Sequence, residues 1–248
     1  MNTAFSKSQI KQINSLRIKK YRLQHGLFIV EGSKSVIELL QSNINVESII
    51  ISEQWRDKNQ QSLNLLEKKQ VVSHKDFQKI SQQSNSDGIL GVFHRKTLKP
   101  IVNLDKDRWY LLLDGIRDPG NMGTIIRTAH YFGLTEIICS KDTVDCYNQK
   151  TIQSSMASIA DVDVHYTGLE VLLTNSNIPV YATTMNSMRI SPEDKLTPGA
   201  VILGNEANGV SEKIIALSTK QWTIPGKGSA ESLNVAIANG IILAELFS

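Results

Sequence analysis

The stretch WYLLLDGIRDPGNMGTIIRTAHYFG, residues 109–133, decides how the rest of the chain is read. WYLLLD is a near-continuous apolar run with the character of a strand buried on both faces, and it stops at a turn rich in glycine. From Asn121 the apolar residues recur at helical spacing. This strand, turn and helix form a unit whose pattern returns along the second half: EIICS before a helix near Gln149, VDVHY before one near Leu169, PVYATT, AVILG before one near Ser211, and QWTI before a last helix. Such alternation predicts an α/β domain with a parallel sheet covered on both faces. Sheets of this kind bind ligands just beyond the carboxyl ends of their strands, which directs attention to the loops after LLLD, AVILG and QWTI.

In the first loop, Asp114 to Gly133, Gly120 and Gly123 allow close backbone approach, Asn121 is placed to cap the helix, and Arg127 follows one turn after Gly123. Neither GxGxxG nor GxxxxGK[ST] is present, which argues against a dinucleotide or P-loop enzyme. The second loop, LGNEANGVS (203–211), sets Asn205, Glu206 and Asn208 between Gly204 and Gly209, with Ser211 as a candidate cap. The third, IPGKGSAESLNVAIANGIILAEL (224–246), runs from two glycines through Ser229, Ser232 and Asn234 into an apolar helix. Three loops of glycine, hydroxyl and amide at three strand ends of one sheet point to a shared pocket. The residue types alone leave its ligand open, since amides and hydroxyls serve adenine, ribose and phosphate alike.

Outward from this domain, the chain of 248 residues with 41% hydrophobic content is long enough for two modest domains. Residues 1–103 carry 16 Lys+Arg against 8 Asp+Glu, and residues 104–248 carry 11 against 16. Lys7, Lys11, Arg17, Lys19, Lys20 and Arg22 all precede the first acidic residue, Glu31, so the opening segment offers a positive field suited to a polyanion. The first hundred residues read as a smaller α/β unit. Its expected elements are a helix over Lys7–Tyr21, a strand LFIV, a helix from Ser33 as its cap to Gln41, a strand ESIIIS, helices near Gln60–Lys69 and Lys75, and strands at QVV and GILGVF. The polar stretch HRKTLKPIVNLDKDR connects the two, giving a first domain over 1–100, a linker over 101–108 and a second domain over 109–248. Cys139 and Cys146 are too few for a disulfide framework or a four-cysteine zinc site, and the five histidines lack metal-ligand spacing, so no metal is expected. No run of 18 apolar residues and no signal-peptide pattern is present, which reads as a cytoplasmic protein without a membrane span.

Taken in order, NMGTIIRTA (121–129), LGNEANGVS and IPGKGSAESLNVAIANGI (224–241) resemble the three motifs of the SpoU, or TrmH, family of RNA ribose 2′-O-methyltransferases within the SPOUT class. More loosely, KKYRLQHGLFIVEGSKSV resembles the ribosomal-protein-like substrate-binding domain that many members carry. The resemblance implies a catalytic domain whose C-terminal part forms a deep trefoil knot, S-adenosylmethionine as cofactor, RNA as partner, with ribosomal RNA favoured over transfer RNA, and a homodimer. It places cofactor contacts at Leu203, Gly204, Ile224, Ser232 and Leu233, with Thr183 in the remaining knot loop, and the catalytic positions at Asn121, Arg127, Glu206, Ser232 and Asn234. Ala207, Gly226 and Gln153 depart from the family pattern, where glycine, methionine and arginine are usual. Some proposals for the family make the arginine at the position of Arg127 a general base. A guanidinium with a pKa above about 12 is better suited to holding phosphate and stabilising charge on the 2′-oxygen. The competing reading is a non-catalytic RNA-binding or ribosome-associated protein on the same fold.

Overall fold

The computed structural model describes residues 5–83 and 85–247. In chain order the first part contains α1 (Lys7–Ser15), α2 (Lys19–His25), β1 (Leu27–Glu31), α3 (Ser33–Leu40), β2 (Val46–Ser52), α4 (Glu53–Lys58), a 3-10 helix (Gln60–Leu65), β3 (Lys69–Val72), α5 (His74–Gln78) and β4 (Ile89–His94). The second part contains β5 (Tyr110–Asp114), α6 (Pro119–Tyr131), β6 (Glu136–Ser140), α7 (Gln149–Ser155), β7 (Asp163–Thr167), α8 (Leu169–Asn175), β8 (Val180–Met188), α9 (Pro192–Lys195), β9 (Ala200–Gly204), α10 (Glu212–Leu217), β10 (Lys220–Trp222) and α11 (Val235–Phe247). Two compact units result. One comprises residues 1–97 with 147–160, the other residues 98–146 with 161–248. Helix α7 thus belongs to the first unit although it lies in the second half of the chain.

The first unit is built on a mixed sheet of order β1-β4-β2-β3, antiparallel except for β2 beside β3. Ile29, Ile50 and Leu90 from this sheet pack with Leu16 and Phe77 in one core. The expected single helix over Lys7–Tyr21 is two helices. Leu16 ends the first, Ile18 is extended, and the buried Arg22 guanidinium donates to the carbonyls of Leu16 and Arg17, which a continuous helix would have spent on its own N–H groups. Ser33 is not the cap of α3. Gly32 holds that position, while the Ser33 hydroxyl accepts from Trp55 Nε1 at 2.8 Å and its N–H donates to Asp87. The helix expected near Gln60–Lys69 is the short 3-10 turn, preceded by α4 with Ser52 as its cap.

The second unit holds a six-stranded sheet of order β10-β8-β9-β5-β6-β7, parallel throughout, as the apolar runs predict. Leu112, Ile138, Ala182 and Ile202 from adjoining strands share one buried core with Leu172 and Ile214. The chain leaves β5 toward β6 on one side, whereas it leaves β9 toward β10 on the other. Since β5 and β9 are neighbours with Asp114 opposite Gly204, the strand order reverses between them. That reversal opens a crevice at their carboxyl ends, where α/β sheets bind ligands.

Gly204 closes β9 against the backbone of Gly209 and Val210, and a Cβ there would overlap both. The variant Gly204→Ala is expected to lose about 3 kcal/mol or more, because rigid backbone cannot yield as a side chain can. Thermal denaturation checks this, and an unchanged midpoint would show that the loop shifts freely.

Candidate active site

The loops after β5 and β9 and the segment before α11 meet through one amide. Asp118 caps α6, accepting the Asn121 N–H at 2.8 Å, and Pro119 follows where a missing N–H costs nothing. Asn121 is therefore not the cap that the sequence suggested, and its side chain is left for other partners. Its Nδ2 donates to Glu206 Oε1 at 3.0 Å, and its Oδ1 accepts from Asn234 Nδ2 at 2.9 Å. Asn234 Oδ1 accepts the N–H groups of Ala236 and Ile237, which caps the start of α11. Glu206 also accepts backbone N–H bonds from Arg117 at 3.3 Å and Asp118 at 3.2 Å.

A second clasp lies beside the first. Asn205 Nδ2 donates to the Gly115 carbonyl at 2.6 Å, while its Oδ1 accepts from the N–H groups of Ala207 and Asn208. Asp114 accepts the Ser211 N–H at 2.8 Å, so Ser211 stands at the cap position of α10 without a capping bond from its own hydroxyl. Partial burial, the largest single effect on the Glu206 carboxyl, pushes its pKa upward. The hydrogen bonds from Asn121 and from the backbone of Glu206, Arg117 and Asp118 together outweigh it and hold the carboxyl below its ordinary value. Glu206 is thus an ionised acceptor at neutral pH.

Arg127 lies on the exposed side of α6 and makes no hydrogen bond or ion pair with any described residue. Ser232 is likewise exposed, and its hydroxyl has no partner among the described residues. The structure therefore brings Asn121, Glu206 and Asn234 into one hydrogen-bonded chain and leaves Arg127 and Ser232 outside it. Leu203 and Gly204 are buried at the end of β9, Ile224 is half-buried and Leu233 is 49% exposed. Thr183 donates to the Ile202 carbonyl at 2.9 Å. Sequence reasoning overlooked the roles of Asp118 and Asp114, although Asp-Pro at a helix start is a readable capping signal.

The crevice also offers unspent polar groups. Among the described residues, the backbone of residues 224–233 makes no backbone hydrogen bond, and Thr184 Oγ1, where β8 runs past its pairing with β9, is shut from solvent without a partner. A ligand rich in donors and acceptors, such as a nucleoside, fits that set.

In the first unit, Lys7, Lys11, Lys19 and Lys20 are exposed. Arg17 is half-buried and donates to the Ile80 carbonyl at 2.7 Å. Arg22, 3% exposed, departs from the expected polyanion surface because its guanidinium closes the end of α1. Among the described residues, no helix is long and apolar enough to cross a membrane.

Comparison with known proteins agrees with this geometry. Residues 108–244 match the SpoU rRNA Methylase family, and residues 7–91 match the MRM3-like substrate binding domain. The 23S rRNA (guanosine(2553)-2′-O)-methyltransferase RlmP of Bacillus subtilis is 29% identical, over 96% of this chain and 95% of its own. Among solved structures, a TrmH-family protein from Porphyromonas gingivalis is 32% identical with a TM-score of 0.82, covering 98% of both chains. An AdoMet-bound rRNA methyltransferase from Sinorhizobium meliloti is 27% identical, also with a TM-score of 0.82, over 98% of this chain and 95% of that one. A SpoU methylase match over the parallel-sheet unit, with a substrate-binding match ahead of it in the sequence, makes this an RNA methyltransferase. The chain belongs to the SpoU rRNA methylase family.

Because the folded pKa of Glu206 lies below its ordinary 4.5, its charge stabilises the fold at neutral pH, and that contribution is lost as pH falls from there through the depressed value. The melting difference between wild type and Glu206→Gln should be largest near pH 7 and shrink as pH falls below the ordinary carboxylate range and through the depressed pKa. Denaturation across that range measures it, and a constant difference would mean that the charge is immaterial to the clasp.

Proposed function

We propose that this chain transfers the methyl group of S-adenosylmethionine to a ribose 2′-hydroxyl of structured RNA, with ribosomal RNA as the substrate. Residues 109–248, less the segment 147–160 that belongs to the first unit, act as the catalytic domain, with its C-terminal part threaded as a trefoil knot, residues 101–108 as the linker and residues 1–100 as the core of the RNA-binding domain. The observation that carries the reading is the Glu206–Asn121–Asn234 chain, which fixes three motif loops around the crevice at the strand-order reversal. Full-length similarity to RlmP, named for ribose methylation of 23S ribosomal RNA, supports the substrate class.

Thr183, Leu203, Gly204, Ile224, Ser232 and Leu233 would hold the cofactor, with the unspent backbone groups of residues 224–233 reading its polar edges. S-adenosylmethionine supplies an already activated methyl group as a sulfonium. The protein's task is then alignment, which accounts for about 7–11 kcal/mol in well-oriented systems, and stabilisation of developing charge. Arg127, exposed and unpaired among the described residues, is available to hold the target phosphate and to stabilise negative charge on the 2′-oxygen, while a phosphate oxygen or water takes the proton. Glu206 keeps Asn121 oriented toward the ribose, and Ser232 with Asn234 shapes the nucleotide side of the crevice. The exposed basic residues Lys7, Lys11, Lys19 and Lys20 meet the RNA backbone.

The active form is a homodimer. On α11, Ile237, 55% exposed, and the half-buried Ile241 offer apolar surface for that contact, whereas Leu246 is buried in its own chain.

The test combines purified protein, methyl-labelled S-adenosylmethionine and ribosomal RNA from cells lacking the gene, followed by nuclease digestion. Label is expected in one 2′-O-methylnucleoside and absent with Arg127→Ala. Absence of label with wild type, cofactor binding being intact, would favour a non-catalytic RNA-binding role. For Arg127→Lys, turnover is expected to fall nearly to zero with cofactor affinity kept, because a point charge cannot reproduce the planar fork. Wild-type rates in that variant would remove Arg127 from the chemistry.

A further inference from the structure

The first unit contains a cleft of about 200 Å³ whose lining includes no residue of the motif loops. Its apolar wall is Ile29, Val30 and Ile152, and its polar lining comes from Glu31 and Ser35, from Gln82 and Gln83 after α5, and from α7. Gln149, Lys150 and Gln153 are the polar contribution of α7. Four glutamine amides on a single small cleft are unusual for a surface that has only solvent to meet.

The lining is built rather than incidental. Glu31, 8% exposed, accepts hydrogen bonds from Ser81 and Ser86 and, at 3.0 Å, from the Gln82 N–H, which fixes the segment that presents Gln82 and Gln83. With its amide oriented to satisfy both neighbours, Gln82 donates to Gln149 Oε1 and accepts from Arg17 Nε at 3.1 Å. One side of the cleft is thus held by the chain's own bonds. On the other, the side chains of Ser35, Gln83 and Gln153 have no hydrogen-bond partner among the described residues.

The chemistry selects one kind of occupant. A phosphate would face the Glu31 carboxylate with a single lysine to offset it, so the cleft is no anion site. Primary amides present a donor and an acceptor side by side, which matches the edge of a nucleobase, and the aliphatic wall suits its flat face. The volume is below that of pockets for drug-sized ligands and suits a single ring system. We propose that this cleft takes one unstacked base of the substrate RNA, at a nucleotide other than the methylated one, and reads its edge through Gln83 and Gln153. This rests on the RNA methyltransferase reading of the chain, and it adds a sequence-reading contact to the backbone contacts of the lysines.

The experiment measures binding separately from methyl transfer. In vitro transcripts tiling 23S ribosomal RNA are titrated against the full chain by fluorescence anisotropy, and the tightest-binding fragment is rebuilt with abasic residues one position at a time. With wild type, one abasic position outside the methylated nucleotide is expected to weaken binding roughly 10- to 100-fold, the effect of one or two lost hydrogen bonds with their base. The double variant Gln83→Leu with Gln153→Leu should bind the intact fragment weaker by a similar factor and show no further loss at that abasic position. Its kcat at saturating RNA, its cofactor affinity and its melting temperature should stay at wild-type values. Unchanged RNA affinity in the double variant, additive losses, or no 23S fragment bound by wild type would each overturn the proposal. If methyl transfer fails while the abasic effect and its loss in the variant persist, the catalytic reading falls and the base-reading cleft stands.

Discussion

The side-chain amide of Asn121 is the constraint on which the site depends. It must donate to an ionised carboxylate on one side and accept from the Asn234 amide on the other, and only a short side chain with both functions can do so. An aspartate there would repel Glu206, and an aliphatic residue would strand two partners. The separation of the three residues in sequence makes the bond consequential: it spans 85 positions to Glu206 and 113 to Asn234. Asn121 therefore ties all three loops to one side chain.

The strand order explains why those loops can meet at all. Because β5 and β9 are neighbours from which the chain departs in opposite directions, the loops that follow them open a crevice instead of packing over one another. Gly204 then lets the second loop fold flat against Gly209 and Val210, and Asn205 ties that loop to Gly115. The motif loops here are held mainly by backbone groups, which Asn205 and Asp114 fasten at Gly115 and Ser211. Arg127 is the exception, carried on the open face of a helix whose first turn is fixed by Asp118 and Asn121. Its freedom suits a group whose partner arrives with the substrate.

The parallel sheet was legible in the sequence because its central strands β5, β6 and β9 are buried almost throughout and so read as nearly unbroken apolar runs. The three motif loops were legible because glycine and asparagine clusters at strand ends are chemically expensive. What escaped notice was decided by contacts across the chain. The break between α1 and α2 lies within a segment of consistent helical character, and Arg22, which looks like part of a positive surface, is drawn inward by two carbonyls. Ser33 has the right type and place for a cap but is engaged by Trp55 and Asp87. Helices α4 and α9, of 6 and 4 residues, are too short to show a period. The joining of α7 to the first unit has no local signature, since apolar residues on a short helix do not name the surface they will cover.

The membership of residues 147–160 in the first unit sets an order on synthesis. As the chain leaves the ribosome, residues 1–97 can form their sheet but cannot finish their unit until α7 has emerged, and by then β5 and β6 have already been made. The second sheet waits longer still, because β5 gains its neighbour β9 only after a further stretch that puts Gly115 and Asn205 90 positions apart. Contacts of such long sequence separation slow folding and leave interior strand edges unpaired in the meantime. The nascent chain thus carries at once a first sheet that lacks its last helix and a second sheet that lacks its central partner strand.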